Sequence, residues 1–285
     1  MSKGYRIVKK EVYSPVTYMW EVEAPDVALA AQPGHFVMVR MSEEGERIPL
    51  TVADFDRQRG TVTVVIQAVG KSTREMMQLD QGDSILDFIG PLGEASHIQR
   101  RSKVILVGGG LGVAPVYPQL RAYKDLGSTT LSIIGFRTKN LVFWEEKFRA
   151  YSEELHIATD DGSYGHKGFV SQVLQILLEE HGDTEEVVAI GPLPMMKACC
   201  DVTRPCGVRT MVSLNSIMVD GTGMCGSCRV TVGGKLRFAC VDGPDFDGHQ
   251  VDFEELMLRQ RRFQREERES LQRYDEDCRL RGRTP

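Results

Sequence analysis

The chain has 285 residues, of which 41% are hydrophobic, with a formal net charge of -5. This length leaves room for two or three modules with hydrophobic cores of their own. The acidic balance argues against a nucleic-acid partner, which would require a basic surface. No apolar signal segment follows Met1 and no uncharged apolar run reaches membrane-spanning length. We therefore expect no membrane association and a cytoplasmic location.

Residues 1–98 have the pattern of short strands. Apolar and polar residues alternate in segments 5–8, 17–22, 35–39, 49–52 and 60–66, and Gly, Pro and Asp separate these segments at regular intervals. Such spacing is typical of an antiparallel β-barrel.

The pattern changes over residues 99–208. Apolar runs at 104–107, 130–134, 155–158 and 187–190 alternate with helix-period stretches at 114–124 and 169–181. Alternating strands and helices of this kind predict a parallel sheet that helices cover on both faces.

A strand, a glycine turn and a helix start follow one another at residues 104–115. The turn contains Gly108, Gly109, Gly110 and Gly112, and Ala114 and Pro115 enter the helix. Such a turn directs backbone N–H groups at a phosphate, although strand-to-helix turns also use glycine for geometry alone. The wider pattern favours the phosphate site. Further polar and glycine positions follow apolar runs, at the sheet edge where open sheets bind ligands: Arg137, Asp160, Asp161, Gly191 and Pro192.

For a nicotinamide dinucleotide bound at this edge, these residues leave the choice between NADH and NADPH open. No Asp or Glu follows Ile133-Ile134 directly to hold a ribose 2′-hydroxyl, and Arg137 could equally favour a 2′-phosphate.

All seven cysteines lie between Cys199 and Cys278, too close together for a disulfide framework. Asp220, Cys225, Cys228 and Cys240 reproduce the C-x4-C-x2-C…C spacing of plant-type [2Fe–2S] ligands, with Asp in the first place. A carboxylate is anionic and can replace one thiolate. We predict a [2Fe–2S] unit over residues 209–250. Structural zinc and buried thiols are the alternatives, and Cys206 is a second candidate for the fourth ligand.

Residues 251–285 are rich in Glu, Arg, Gln and Leu, which predicts a C-terminal helix. The helix could be solvated and held by i,i+4 ion pairs, or it could be a docking arm for a partner subunit.

The order of these segments resembles the ferredoxin-reductase superfamily over essentially the whole chain. The barrel, Gly90-Pro91-Leu92-Gly93, the glycine turn, 191–196 and the cysteine cluster carry the resemblance. Within the superfamily the chain looks like the group with a C-terminal [2Fe–2S] unit. That group includes the dihydroorotate dehydrogenase electron-transfer subunits and the small subunits of electron-bifurcating NADH-dependent reduced ferredoxin:NADP oxidoreductases. Segments 47–54 and 213–226, with Asp220 in place of a first cysteine, resemble the second subgroup.

Besides the cluster, the resemblance implies a site for FAD and a site for a nicotinamide nucleotide. Pro49, Leu50 and Thr51 would line the flavin ring, and Gly70, Lys71, Ser72 and Thr73 would hold the FAD pyrophosphate. Arg47, Ile66 and Gln67 are further FAD-binding positions. The glycine turn, Asp160, Asp161 and Met195 would belong to the nicotinamide site, with NAD(H) favoured over NADP(H).

The implied activity is electron transfer between NAD(H), FAD and a [2Fe–2S] cluster, with no catalytic acid or base. Electrons would pass to a larger FAD- and [4Fe–4S]-containing catalytic subunit, and ferredoxin would react through the complex. The alternatives are a dihydroorotate dehydrogenase electron-transfer subunit and a zinc-organised binding module without redox activity.

Overall fold

The computed structural model describes residues 4–280. Its strands are β1 (Tyr5–Ser14), β2 (Thr17–Glu23), β3 (Phe36–Arg40), β4 (Ile48–Thr51), β5 (Asp54–Asp56), β6 (Thr61–Gln67), β7 (Ser84–Ile85), β8 (Asp87–Leu92), β9 (Lys103–Gly109), β10 (Thr129–Phe136), β11 (Glu154–Thr159), β12 (His166–Lys167), β13 (Glu186–Ile190), β14 (Arg209–Ser213), β15 (Arg229–Val232), β16 (Lys235–Phe238) and β17 (Asp245–Asp247). Its α-helices are α1 (Pro25–Ala30), α2 (Lys71–Met77), α3 (Val113–Asp125), α4 (Glu145–Arg149), α5 (Val170–Glu180), α6 (Leu193–Thr203), α7 (Phe253–Gln260) and α8 (Gln264–Leu280). Each helix within residues 4–280 is too short or too polar to cross a lipid bilayer.

The N-terminal strands form two antiparallel sheets. One has the order β5-β6-β2-β1-β7 and the other the order β4-β3-β8. Their inward-facing side chains, among them Ile7, Trp20, Val37 and Phe88, form one buried core. This arrangement follows from the alternation of apolar and polar residues, which places every second side chain on the same face. The predicted antiparallel β module is confirmed, and its closure into a barrel stays a prediction.

The second module is a seven-stranded sheet with the order β12-β11-β10-β9-β13-β14-β17. The strands from β12 to β14 pair in parallel, and only β17 runs antiparallel to its neighbour. Residues 104–107 of β9 are completely buried, as expected for a central strand covered on both faces. The predicted parallel sheet is confirmed.

The structure places β14 and β17 in this sheet, although both fall within the 209–250 unit predicted from the cysteines. Backbone pairing decides their position, because β14 continues the parallel register of β13 and β17 pairs with β14. The cysteine unit itself consists of the 214–228 loop, the β15–β16 hairpin and the turn that follows. Its Cys228 and Cys240 are buried in the core of the parallel sheet.

The C-terminal tail forms two helices where the sequence predicts one. Phe253 and Leu256 of α7 pack into the sheet core. Helix α8 instead lies against α2, where Arg74 Nη1 donates to Asp275 Oδ1 at 2.9 Å. The chain turns between the helices because they pack on different modules. An Arg265–Glu269 pair also supports α8, as predicted for a solvated helix. Residues 281–285 of the predicted helix lie outside the described residues.

Candidate cofactor sites

The predicted nucleotide-binding residues lie at one edge of the parallel sheet. In the register of the sheet, Gly108 pairs with Ile134 and with Ile190, and Phe136 pairs with Thr159. The segments that begin at Gly109, Arg137, Asp160 and Gly191 therefore all leave the sheet on the same side, at its carboxyl edge. The first turn of α3, which contains Ala114 and Pro115, starts at this edge.

Glycine is required where α3 meets the end of β13. A Cβ on Gly112 would overlap the Ile190 carbonyl oxygen and would lie 2.8 Å from Gly191 Cα. Both neighbours are backbone atoms, so they cannot move aside as a side chain would. This close packing brings the start of α3 against the Gly191-Pro192 loop.

Met195 fills the space between the two glycine loops. A Cβ on Gly191 would lie 2.9 Å from both Met195 Sδ and Met195 Cε, and one on Gly109 would overlap Met195 Sδ. Three predicted nucleotide-site residues from different segments, Gly109, Gly191 and Met195, are thus in direct contact. The thioether is flexible, so its position can adapt to a bound group.

Local hydrogen bonds hold the side chain of Asp161 at this edge. Asp161 Oδ1 accepts hydrogen bonds from Ser163 N at 2.9 Å and from Ser163 Oγ at 2.6 Å, and these bonds lower the pKa of Asp161. Ser163 Oγ in turn accepts from the Lys139 backbone N–H at 2.8 Å. The sequence pattern predicts Asp161 but gives no sign of Lys139, which is linked to Asp161 through Ser163. Arg137 and Asp160 lie exposed at the same edge.

The predicted flavin-ring residues lie on β4, with side chains on two faces. Leu50 points into the β-module core. Pro49 pairs with Met38 and Thr51 pairs with Phe36, and residues directly opposite in an antiparallel pair share a face. Phe36 and Met38 belong to the core of the parallel sheet. Pro49 and Thr51 therefore face the second module, on the side where a ring between the modules would lie.

The predicted pyrophosphate residues Gly70, Lys71, Ser72 and Thr73 form the start of α2. Thr73 Oγ1 accepts from the backbone N–H groups of Val69 and Gly70, both at 3.1 Å. Tyr18 OH donates to the Thr73 carbonyl at 2.9 Å, which attaches the helix to β2.

The Ser72 hydroxyl connects the start of α2 to the segment that precedes β4. It donates to the carboxylate of Glu46, which precedes the exposed Arg47. Ile66 and Gln67 end β6 just before the helix. The sequence does not predict the contacts of Glu46 and Tyr18 with this helix, because each contact joins segments far apart in the chain.

The four predicted cluster ligands lie on the cysteine loops, but they do not all converge. Cys228 Sγ and Cys240 Sγ are 3.1 Å apart and buried, whereas Cys225 is exposed. The Asp220 carboxylate accepts from the backbone N–H groups of Thr222 at 2.7 Å and Cys225 at 2.8 Å. Across residues 4–280, no three His, Cys, Asp or Glu side chains meet closely enough to hold a metal ion. Of the four predicted ligands, Cys228 and Cys240 are thus in contact through their side chains.

The chemistry of the loop nevertheless fits an iron–sulfur cluster. A hydrogen bond from the Ser227 backbone lowers the pKa of Cys225, which favours the thiolate that iron requires. Burial beside Cys228 raises the pKa of Cys240 to about 12, and a bound metal would reverse that preference. Gly221, Gly223 and Gly226 all have positive φ, so the loop can turn tightly around a bound group.

The cysteine loop lies directly against β3 and β8, which share a sheet with the predicted flavin strand β4. A Cβ on Gly221 would be 2.9 Å from Met38 Cγ and 3.1 Å from Leu92 Cδ1. Met38 is the cross-strand partner of Pro49. Only one side chain thus separates the loop that begins at Asp220 from a strand predicted to line the flavin.

Comparison with known proteins agrees with this arrangement. Residues 215–252 match the iron–sulfur cluster binding domain of dihydroorotate dehydrogenase B. The chain is 44% identical, over 94% of each chain, to a Thermotoga maritima homolog of the dihydroorotate dehydrogenase B (NAD(+)) electron transfer subunit. It is 34% identical to that electron transfer subunit from Geobacillus thermodenitrificans, covering 86% of this chain and 96% of the relative.

The chain belongs to the family of dihydroorotate dehydrogenase B electron-transfer subunits and their homologues. A solved structure of an NADH-dependent reduced ferredoxin-NADP oxidoreductase superposes with a TM-score of 0.91 at 42% identity, covering 96% of this chain and 99% of that one. The predicted family and fold class are therefore confirmed. The match to an iron–sulfur domain of this family also argues against the zinc-organised module.

Proposed function

We propose that this chain is the electron-transfer subunit of a heteromeric oxidoreductase that uses NAD(H), FAD and a [2Fe–2S] cluster. When bound, these groups supply hydride exchange between nicotinamide and flavin and single-electron exchange between flavin and cluster. The chain contributes position and electrostatic environment, and it needs no catalytic acid or base. A cytoplasmic location remains a prediction.

The contact of the cysteine loop with β3 and β8, which share a sheet with the predicted flavin strand β4, carries this proposal. Gly221 packs on Met38 and Leu92, and Met38 pairs with Pro49. A flavin ring on Pro49 and Thr51 and a cluster at Cys225 and Cys228 would be close neighbours.

The residues proposed for each group are those that the sequence predicts. Cys225, Cys228 and Cys240, with Asp220 as the fourth ligand, would hold the cluster. The start of α2 would hold the FAD pyrophosphate, and Gly109, Gly112, Gly191 and Met195 would form the nicotinamide site. We favour NAD(H), because both the family name and the similar solved structure specify it.

The partner is proposed to be a larger FAD- and [4Fe–4S]-containing subunit, through which ferredoxin would react. The similar ferredoxin-NADP oxidoreductase, described in connection with flavin-based electron bifurcation, supports this choice. So does Asp220, which stands in the first ligand position as the bifurcating resemblance implies.

Anaerobic purification of the chain alone tests the proposal. We expect flavin absorbance, two irons per chain and NADH-dependent reduction of an artificial dye, with no turnover of the physiological acceptor. A colourless chain that contains zinc would refute the electron-transfer role, and full turnover without a partner would refute the heteromer.

Dihydroorotate dehydrogenase B is the second candidate complex, and the family match over residues 215–252 favours it. Affinity purification from the native host separates the two. A dihydroorotate-oxidising partner would establish the second candidate, and a [4Fe–4S] subunit that reduces ferredoxin would establish the first.

A further inference from the structure

The segment that follows β10 reaches from the predicted nicotinamide edge to the β module. It begins at Arg137 and ends at Trp144, the residue before α4. Near its first end, the Lys139 backbone N–H donates to Ser163 Oγ at 2.8 Å. At its other end, the Trp144 indole N–H donates to the hydroxyl of Tyr13 on β1 at 2.7 Å. The segment therefore connects the nucleotide edge directly with the β module.

Trp144 has an unusual backbone conformation. Its φ of 61° is the only positive φ of a non-glycine residue in residues 4–280. Residues that carry a side chain rarely adopt this left-handed conformation, and it persists only where the surroundings hold it. The Trp144 ring is 9% exposed, meets the ring of Tyr117 on α3 and has Lys147 Nζ 4.0 Å from its centre. Such conformations cluster at functional sites, so Trp144 calls for a functional explanation.

Two further contacts join the modules at this point. Phe143 stacks on Tyr13, with ring centres 5.2 Å apart, and forms a T-shaped pair at 5.5 Å with Phe136, the last residue of β10. Asp54 of β5 accepts from Arg121 of α3 at 2.5 Å. A hydrogen bond, a ring stack and an ion pair therefore fix the second module against the β module here.

We propose that Tyr13 and Trp144 are positioning residues that set the predicted nicotinamide edge at the right distance from the flavin strand. This inference rests on the proposed function and deepens it. The predicted nicotinamide residues lie on the second module, whereas Pro49 and Thr51 lie on β4 of the β module. Hydride exchange requires the reacting atoms to lie within about 3–3.5 Å of each other, and a misplacement of about 1 Å can lower the rate about a hundredfold. The contact between the modules therefore controls this step, although neither residue needs to touch a cofactor.

Tyr13→Phe tests the proposal, because it removes the hydroxyl that accepts the indole N–H and keeps the ring. In the chain loaded with FAD and cluster, stopped-flow reduction by NADH should slow about tenfold, since the nucleotide edge can then shift. NADH affinity and flavin absorbance should stay within about twofold, because no residue of either predicted site is changed. Asp54→Asn, which removes the ion pair, should act in the same direction. Tyr151→Phe is the matched control, because the Tyr151 ring packs on Tyr117 within the second module and the rate should not change.

A double-mutant cycle tests the pair itself. Because Tyr13→Phe and Trp144→Phe remove the same hydrogen bond, the double variant should be little slower than Trp144→Phe alone. Fully additive losses would overturn the proposal, and so would an unchanged rate in Tyr13→Phe. A loss of NADH affinity by the same factor as the rate would also overturn it, because the effect would then lie in binding and not in positioning.

Hydrogen exchange of the purified chain without NADH gives a readout that does not depend on activity. Amides of residues 137–149 should exchange about tenfold faster in Tyr13→Phe, since a buried indole N–H loses its acceptor, and at an unchanged rate in Tyr151→Phe. Equal exchange in Tyr13→Phe and the unsubstituted chain would overturn the positioning role. If the unsubstituted chain shows no flavin reduction by NADH but exchange changes as expected, the proposed function fails and the contact between the modules stands.

Discussion

The glycine edge of the parallel sheet and the cysteine loop are built in different ways. At the edge, strand register and backbone packing bring Gly109, Gly112 and Gly191 together without help from polar side chains. In the cysteine loop, the backbone N–H groups of Thr222 and Cys225 donate to the Asp220 carboxylate, and the ligand side chains in contact with each other are those of Cys228 and Cys240. The fold alone therefore builds the glycine edge. The predicted ligands of the cysteine loop are not all gathered, and a bound group would have to draw them together.

This difference predicts different consequences of substitution. Where backbone atoms build a site, an added methyl group should disturb the fold itself. Where side chains supply the ligands, a substitution should remove the bound group and leave the fold largely intact. Four substitutions, taken from the largest expected effect to the smallest, test this distinction.

Cys228→Ser should have the largest effect and should act on the cluster alone. A hydroxyl is a much poorer ligand than a thiolate, so we expect iron content to fall by more than about tenfold. Iron analysis with the visible spectrum measures this, and flavin content should stay near that of the unsubstituted chain. Cys206→Ser is the matched control, because Cys206 is exposed. Iron loss in the control would instead make Cys206 a ligand.

Gly112→Ala should act on the fold. The new Cβ would meet the backbone of Ile190 and Gly191, so we expect a loss of on the order of 2–4 kcal/mol in the free energy of unfolding. Chemical denaturation followed by circular dichroism measures this. Gly182→Ala is the control, because its Cβ would meet nothing within 4 Å. Equal stability of the two variants would contradict a backbone-built edge.

Asp220→Ala tests whether Asp220 is the fourth ligand of the cluster. Loss of one anionic ligand should lower cluster affinity by about tenfold, less than loss of a central thiolate. The substitution also frees the N–H groups of Thr222 and Cys225, so the loop should lose local order. Iron content measured after dilution detects the first effect. Unchanged iron would move the fourth ligand to another residue.

The two sites also differ in how well the sequence predicts them. Apolar runs and glycines placed Gly109, Arg137, Asp160 and Gly191 at one sheet edge, because parallel strands put their carboxyl ends together whatever the side chains are. Spacing identified the four candidate ligands, but not that Asp220 would accept from Thr222 and Cys225. The break between α7 and α8 and the contact of Gly221 with Met38 depend on long-range packing, which leaves no local pattern in the sequence.

Gly109→Ala tests the same edge at a flexible neighbour. Its Cβ would displace the Met195 thioether but would meet no backbone atom of α6, the helix that contains Met195. The free energy of unfolding should therefore change little. Because Met195 is proposed to contact the nicotinamide nucleotide, NADH affinity should fall by roughly threefold to tenfold. Fluorescence titration measures it. A large loss of stability with normal affinity would show that Met195 has only a packing role.

Asp245 of β17 is a buried carboxylic acid that contacts Ser96 and helix α3, and its burial makes its contribution to stability depend on pH. Its Oδ2 accepts from Ser96 Oγ at 2.5 Å and from Gln119 Nε2 at 3.1 Å, while Oδ1 is buried without a partner in residues 4–280. Burial raises the pKa of Asp245 above its usual 3.8. The folded chain therefore retains this proton to a higher pH than the unfolded chain does.

Asp245→Asn should make stability less dependent on pH. With a raised pKa in the folded state, the contribution of Asp245 is complete below about pH 4 and is lost as the pH rises through the folded-state pKa. The amide carries no charge, so the variant should gain stability relative to the unsubstituted chain at pH 8 and not at pH 4. Asp183→Asn should do the opposite, because a hydrogen bond from Lys103 lowers the pKa of Asp183 and its contribution is lost as the pH falls. Thermal unfolding at several pH values measures how the stability of each variant changes with pH. Parallel curves for the Asp245 variant and the unsubstituted chain would mean that this buried carboxyl stays protonated throughout, and that it joins the modules only as a neutral hydrogen-bonding group.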